Sequence, residues 1–366
     1  MGGFLPDWAR MHQGEGVRVW DLFLSPFSMV YGLGVRLRLK AYKKGVLNRK
    51  GLPGFVVSVG NLTAGGTGKT PAVVMLGRWA QEEGHRVAIL SRGYGGQYKA
   101  EVLVVSDGSR IKADPRETGD EPYLMAQRLP GIPVVVSRRR YSAGLFAYEK
   151  FGSNLFVLDD GFQHLQLKRD LNLALLSATH PFGNGHLLPW GPLREPISEL
   201  KRADAFILTR AQNPSSRGTI QTFLNEKFPK RPVYSADHQA EVVVFPHSNE
   251  VQPPGFLKGK RAVAFAGIAR PEAFRNTLMR LGVDLVYFKT FKDHYPFGSV
   301  DLRVLNHHME KRGAQYLVTT EKDWVRMAPL VPLSPHLAYL SIKFVLLSNQ
   351  DNFFRMIRDC IAGRNK

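Results

Sequence analysis

The chain carries one cysteine, Cys360, in 366 residues. An internal disulfide is therefore excluded, no Cys/His spacing suggests a zinc site, and the usage fits a reducing compartment. Long hydrophobic runs are also missing. The longest early one, Leu22 to Val35 (LFLSPFSMVYGLGV), falls short of the ~20 residues a spanning helix needs, and Pro26, Gly32 and Gly34 interrupt it. No cleavable signal peptide is expected, and internal repeats and low-complexity tracts are absent. Acidic residues are scarce relative to basic ones: 31 Asp and Glu face 50 Lys and Arg, a formal net charge of +19. With 44% hydrophobic and 22% charged residues, disorder is excluded and an ordinary globular chain is expected. Its length suits about two domains and a full core without cross-links.

The cationic surplus suits a polyanionic partner, whether nucleic acid, anionic lipid headgroups or a phosphorylated substrate; alternatively it serves solubility alone. Behind the early apolar run come Arg36, Arg38, Lys40, Lys43, Lys44, Arg49 and Lys50. Apolar residues beside cations suit a segment lying in the headgroup region of an anionic membrane. The alternatives are a core helix with a solvated basic end and, for Val35–Lys40, a strand, because that stretch alternates with period two. We assign residues 1–50 as a membrane-interfacial segment.

The rest of the chain predicts an α/β fold. Residues 55–60 (FVVSVG) read as a strand, followed by a glycine cluster and a helical pattern from Pro71. Further strands are expected at 86–91, 101–106, 132–137, 155–158, 171–176 and 205–208, with a helix through the 140s. Alternating strands and helices imply a mostly parallel sheet with helices on both faces. From Ala211 to Lys260 the rhythm breaks into Pro-, Ser- and Asn-rich sequence, read as a passage into a second, smaller α/β domain. There we expect strands at 262–267, 284–288 and 315–320 and helices at 271–281 and 299–312. The expected division is 51–211 for a phosphate-loop core, 212–346 for the smaller domain and 347–366 for a C-terminal helix.

Strand, glycine loop and helix together form the context of a phosphate-binding loop. Thr63, Ala64, Gly65, Gly66, Thr67, Gly68, Lys69 and Thr70 are its candidate residues. Glycines let backbone N–H groups approach phosphate oxygens, and the following helix adds its positive end. Lys69 supplies a cation for the β/γ-phosphates, and Thr70 offers a hydroxyl to Mg²⁺. Thr63 stands where the strict pattern wants glycine. Asp159-Asp160 closes a buried strand at the carboxyl edge, where ligands bind in open α/β sheets and where acids hold Mg²⁺. Gln163 and His164 follow, suited to orienting a substrate or the metal shell, His164 equally to a structural hydrogen bond. Arg92 and Tyr94 follow the second strand, and Arg194 sits in a rigid loop, placed to clamp a phosphate. Asp120 of GDEP is either a helix N-cap or the base a kinase needs near its acceptor hydroxyl. Asp293-His294 is by itself a weak signal, more simply read as a solvated loop.

These motifs, taken in order, resemble the tetraacyldisaccharide 4'-kinases of lipid A biosynthesis. The resemblance runs through PFSMVYG (26–32), VGNLTAGGTGKTP (59–71), LSRGYGG (90–96), GDEP (119–122), LDDGFQH (158–164), FGNGHLLPWGPLREP (182–196), FKDHYPF (291–297) and VTTEKDWVR (318–326). It implies a kinase that moves the γ-phosphoryl of ATP, with Mg²⁺, to the 4'-hydroxyl of an acylated disaccharide 1-phosphate, yielding lipid IVA. It also implies work at the cytoplasmic face of the bacterial inner membrane, peripherally bound; neither nucleic acid nor an obligate protein partner is expected. By matching motifs, Asp120 is the base, His294 its partner, and Asp159, Asp160, Gln163 and Glu195 the residues around the metal. Tyr295 stands where the family usually shows a second His.

Two rivals remain. A regulatory or assembly NTPase of the deviant-loop class would lack a base for an organic hydroxyl; many of those carry a lysine where this chain has Ala64. A nucleic-acid binder would use the cationic field, but no recognition motif accompanies it.

Overall fold

A computed structural model describes residues 18–328 and 334–364, the first five by backbone alone. Residues 1–17 of the expected N-terminal segment and 365–366 of the expected C-terminal helix lie outside the described residues. In chain order the elements are α1 (Arg18–Lys43), β1 (Phe55–Gly60), α2 (Lys69–Glu82), β2 (Val87–Ser91), β3 (Leu103–Asp107), α3 (Pro115–Thr118), α4 (Asp120–Arg128), β4 (Pro133–Val136), α5 (Arg140–Phe151), β5 (Leu155–Asp159) and β6 (Leu171–Ser177). There follow β7 (Ala205–Thr209), α6 (Pro214–Lys227), β8 (Val233–Phe245), β9 (Glu250–Gln252), β10 (Arg261–Ala266), α7 (Pro271–Arg280), β11 (Asp284–Thr290), α8 (Ser299–Lys311), β12 (Tyr316–Thr320), α9 (Glu321–Met327), β13 (Leu337–Leu346) and α10 (Gln350–Arg364).

The chain forms two compact units. Among the described residues, the first takes those up to Arg92, Ser137–Asp237 and those from Val345 onward; the second takes Gly93–Val136 and those from His238 to Phe344. This differs from the linear division at 211 and 346. Residues 93–136 belong with distant sequence because α4 packs on α9, and a contact between remote helices leaves no local compositional mark.

In the first unit β1 runs parallel between β5 and β6, β2 adds to β5, β7 adds to β6, and the start of β8 adds to β7, all parallel. Every residue of β1, β2, β5, β6 and β7 is buried. Such strands need cover on both faces, and their apolar runs therefore do not alternate. In the second unit β10 lies parallel between β11 and β12, and β13 pairs with β12. Alternate residues of β10 enter different cores: Ala262, Ala264 and Ala266 pack with Phe274 and Leu278 of α7, while Val263 and Phe265 pack with Leu302 and Leu305 of α8. Strand pleating accounts for this split. The fold is a mostly parallel α/β phosphate-loop architecture.

Two expectations are corrected. The 211–260 stretch contains helix α6 and the 13-residue strand β8. Its NPSSRG sequence is a helix start: Asn213 accepts from the N–H groups of Ser215 and Ser216, and Pro214 occupies the first turn, where its missing N–H costs nothing. The strand period at Val35–Lys40 is also overridden, because α1 runs as one 26-residue helix through Pro26, Gly32 and Gly34. No described helix is long and apolar enough to cross a membrane.

Candidate active site

The first unit builds an anion cradle at the carboxyl edge of its sheet. Beyond Gly60 the chain loops over to Gly68, which has φ 86° and ψ 26° and starts α2 without a side-chain cap. That left-handed conformation suits glycine, and the first N–H groups of α2 are left without a side-chain cap, an arrangement that can take an anion. The loop is pinned by main-chain bonds: Ala64 N donates to Pro192 O at 2.7 Å and Arg194 N to Leu62 O at 2.8 Å. Arg210 Nη2 donates to Gly66 O at 2.9 Å. The buried Thr67 hydroxyl has no hydrogen-bond partner among the described residues.

Parallel register sets Val59 opposite Asp159, so the acidic pair begins level with the loop. The hydroxyl of Ser91 donates to Asp159 Oδ2 at 2.9 Å. Asp160, with φ 50°, turns to the loop lysine: Lys69 Nζ lies 3.5 Å from its Oδ1, and Arg194 Nη1 donates to Oδ2 at 2.6 Å. Lys69 also donates to Asn61 Oδ1 at 3.2 Å. Asn61 in turn donates to Thr63 O and accepts from Gln163 Nε2, each at 2.8 Å. Burial alone would raise the Asp160 carboxyl, but Lys69, Arg194 and Arg140 outweigh it and hold the group below its ordinary value. This carboxylate stays ionised yet is outnumbered by cations, and the centre retains attraction for an anion. Thr70 sits in the first turn of α2.

Not every expected residue joins this group. Glu195, 2% exposed, is engaged by Arg202, and burial pushes its carboxyl upward. His164 is neutral: burial first, then Arg140, Arg169, Arg38 and Arg92, lower it to about 3. Arg92 is exposed and acts on His164 through its charge.

The second unit carries a separate acid–imidazole pair. Gly119 has φ 83° and ψ 156°, and a Cβ there would lie 2.3 Å from Tyr94 O, so only glycine passes. Gly119, not Asp120, is the N-cap; Asp120 opens α4 as its first residue. Its side chain is 4% exposed, with His294 Nδ1 at 3.1 Å, Arg326 Nε at 3.4 Å and Lys322 Nζ at 3.8 Å from Oδ2. Burial pushes this carboxyl up, but His294, Lys322 and Arg326 bring it below its ordinary value. His294 is raised by its contact with Asp120, against burial. The imidazole is thus no solvated loop group: its backbone N–H is tied to Gly267 O at 3.2 Å, and the Tyr94 ring lies 5.8 Å away, centroid to centroid. Tyr94 itself is 70% exposed. Tyr295 donates to Asp301 at 3.2 Å and packs on Phe291 and Phe297, a structural occupation of that position.

Several site residues escaped the sequence reading: Asn61, Arg140, Lys322 and Arg326. Asn61 lies inside VGNLTAGGTGKTP, and Lys322 and Arg326 inside VTTEKDWVR, so the motifs held the signal. Their roles depend on spatial partners. Lys322 bridges Glu121, at 2.9 Å, and Asp120. Arg326 pairs with Asp323 and donates to Gly267 O at 2.8 Å.

The family model for tetraacyldisaccharide-1-P 4'-kinase matches residues 20–362. The tetraacyldisaccharide 4'-kinase of Syntrophus aciditrophicus is 42% identical over 330 residues, covering 88% of each chain. The corresponding protein of Geobacter metallireducens is 44% identical over 311 residues, covering 84% of this chain and 89% of its own. A crystal structure of LpxK from Aquifex aeolicus in complex with ATP aligns with a TM-score of 0.76 and 35% identity, over 93% of this chain and 99% of that one.

Proposed function

The chain belongs to the tetraacyldisaccharide 4'-kinase family, and from that premise we infer that its two centres divide one phosphoryl transfer between them. It is an ATP-dependent kinase that moves the γ-phosphoryl group to the 4'-hydroxyl of tetraacyldisaccharide 1-phosphate, forming lipid IVA in lipid A biosynthesis. In the proposed division of labour the first unit holds the nucleotide. Backbone N–H groups of 64–69 and the Lys69 ammonium take the β- and γ-phosphates. The second unit supplies the base: Asp120 accepts the hydroxyl proton as the acceptor oxygen bonds to the γ-phosphorus, the bond to the β-phosphate oxygen breaks, and ADP leaves. His294, Lys322 and Arg326 hold that carboxylate in place and in its charged form.

A hard-oxygen set is available for Mg²⁺: the Thr70 hydroxyl and the carboxylates of Asp159 and Asp160. This fits a cation that takes one or two carboxylates and otherwise phosphate and water. Bound there, the ion would neutralise charge on the transferring group. Gln163, whose amide oxygen is buried without a hydrogen-bond partner among the described residues, would meet its water shell. Glu195, already held by Arg202, is left out of this set. Arg92, Tyr94, His164 and Arg194 are the proposed contacts to substrate phosphate and sugar.

The acyl chains of the substrate call for a membrane surface. Helix α1 exposes Phe23, Phe27, Met29, Val30, Leu33 and Leu37, each 57% or more, beside Arg36, Arg38, Lys40 and Lys43. Apolar side chains left in water next to cations suit the interface of an anionic bilayer, here the cytoplasmic face of the inner membrane, with peripheral attachment. The observation that carries the kinase reading is Asp120 with His294: a buried, oriented carboxylate is what a switch NTPase has no use for. Incubation with labelled ATP and tetraacyldisaccharide 1-phosphate, with product identification, tests it. Label should enter the lipid; full-rate ATP hydrolysis indifferent to the lipid would overturn it.

A further inference from the structure

Helix α1 meets the rest of the first unit in an unusual way. Six of its large apolar side chains, Phe23, Phe27, Met29, Val30, Leu33 and Leu37, are exposed, whereas Ser28, at 7% exposure, is buried. Ser28, Tyr31 and Gly32 have the i, i+3, i+4 spacing of one helix face. That face bonds to main-chain carbonyls of a single loop. Ser28 Oγ donates to Leu187 O at 2.8 Å, and Tyr31 Oη donates to Arg194 O at 2.9 Å. At Gly32 an added Cβ would come within 2.9 Å of Leu187 Cδ1, so the helix backbone approaches the loop closely. A helix that served only as apolar glue would bury Phe23, Phe27 and Leu33 here.

The loop so held is the one that builds the nucleotide site. Arg194 is fixed at both main-chain polar atoms: its N–H donates to Leu62 O at 2.8 Å, and its carbonyl accepts from Tyr31. Its guanidinium is then aimed at Asp160, at 2.6 Å, the carboxylate that also faces Lys69 at 3.5 Å. Two residues earlier, Pro192 O receives the N–H of Ala64 in the phosphate loop, at 2.7 Å. We propose that Tyr31, assisted by Ser28, is a positioning residue of the nucleotide site, acting through Arg194 on the Asp160–Lys69 pair. Helix α1 is then a strut of the phosphate loop as well as a membrane contact. The proposal rests on the reading of 64–70 as the ATP cradle. Displacement of a charged group by about 1 Å is enough to cost on the order of 100-fold in a reaction, so a single phenol hydroxyl two contacts away is felt.

The test is the affinity of the full-length protein for a non-hydrolysable ATP analogue with Mg²⁺, for Tyr31→Phe, Arg194→Ala and the double variant, with thermal unfolding measured without nucleotide. Tyr31→Phe should weaken binding ~3–10-fold, the worth of one well-placed neutral hydrogen bond, while its melting temperature stays within about 2 °C of wild type. In the Arg194→Ala background Tyr31→Phe should have no further effect, because its route is already cut. Affinity within twofold of wild type, a loss that tracks a fall in melting temperature, or the same factor recurring in the Arg194→Ala background overturns the proposal. Lys69→Ala separates the two readings: if it binds the analogue normally, the cradle itself is misassigned, whereas weakened Lys69→Ala with unaffected Tyr31→Phe removes only the positioning role.

Discussion

Replacing Asp120 by Asn removes a base while preserving shape. A positioned general base contributes ~10²–10⁴-fold, so kcat should fall by that factor, about 3–5.5 kcal/mol at 1.36 kcal/mol per decade. The substitution also strips a buried partner from three groups. Lys322 keeps Glu121 at 2.9 Å and Arg326 keeps Asp323. The stability loss should therefore stay near 1–3 kcal/mol, below the ~3–5 kcal/mol of a fully broken buried pair. Lys69, Arg194 and Asp160 belong to the other unit, so affinity for an ATP analogue should stay within about twofold. Transfer of label from ATP to the disaccharide at saturating substrates gives kcat, and analogue titration gives the affinity. A kcat within about threefold of wild type, or a loss of rate fully matched by lost nucleotide affinity, would refute the reasoning.

Lys69→Ala should lower kcat by at least ~10²–10³, the cost of one preorganised donor to developing charge; near-normal turnover would refute the cradle. The pH dependence of stability has two limbs. Asp120 has a folded pKa below its unfolded value of about 3.9, so its contribution is present above that value and is lost as pH falls through the folded pKa. His294 has a folded pKa above about 6.5, so its contribution is full below 6.5 and is lost as pH rises through the folded value. The pair therefore contributes most between about pH 4 and 6.5, and denaturant titrations of His294→Ala should lose the alkaline limb; an unaltered limb would assign it to another group. Gly119→Ala places a Cβ 2.3 Å from Tyr94 O at φ 83° and should cost roughly 3 kcal/mol or more; a loss under about 1 kcal/mol in thermal or denaturant melts would show that the turn yields. Phe27→Asp with Leu33→Asp should abolish sedimentation with anionic vesicles, each apolar side chain being worth about 1.5–3 kcal/mol on burial; retained binding would place the contact elsewhere.

The strand run at 55–60, the loop glycines and Lys69-Thr70 were legible because a phosphate cradle is contiguous in sequence. The buried strands likewise showed as apolar runs with flanking turns, since a doubly covered parallel strand has no polar face. Asn213-Pro214 misled, because composition is the same for a linker and for a capped helix start. At Val35–Lys40 a two-residue period was overridden by continuation of a long helix that leaves Phe27, Leu33 and Leu37 exposed.

Local order, then, was written in the chain itself: strand, glycine turn, helix and the charge that accompanies them, all decided within a few residues by backbone sterics and side-chain polarity. Tertiary contact alone decided the rest. It joined residues 93–136 to 238–344, set Lys322 and Arg326 around Asp120, and brought Tyr31 to Arg194 O. The reason is physical. Charge pairing and burial act through space with the short reach of a few ångströms, and residues separated by a hundred or more positions share that space only once the sheets and helices have packed.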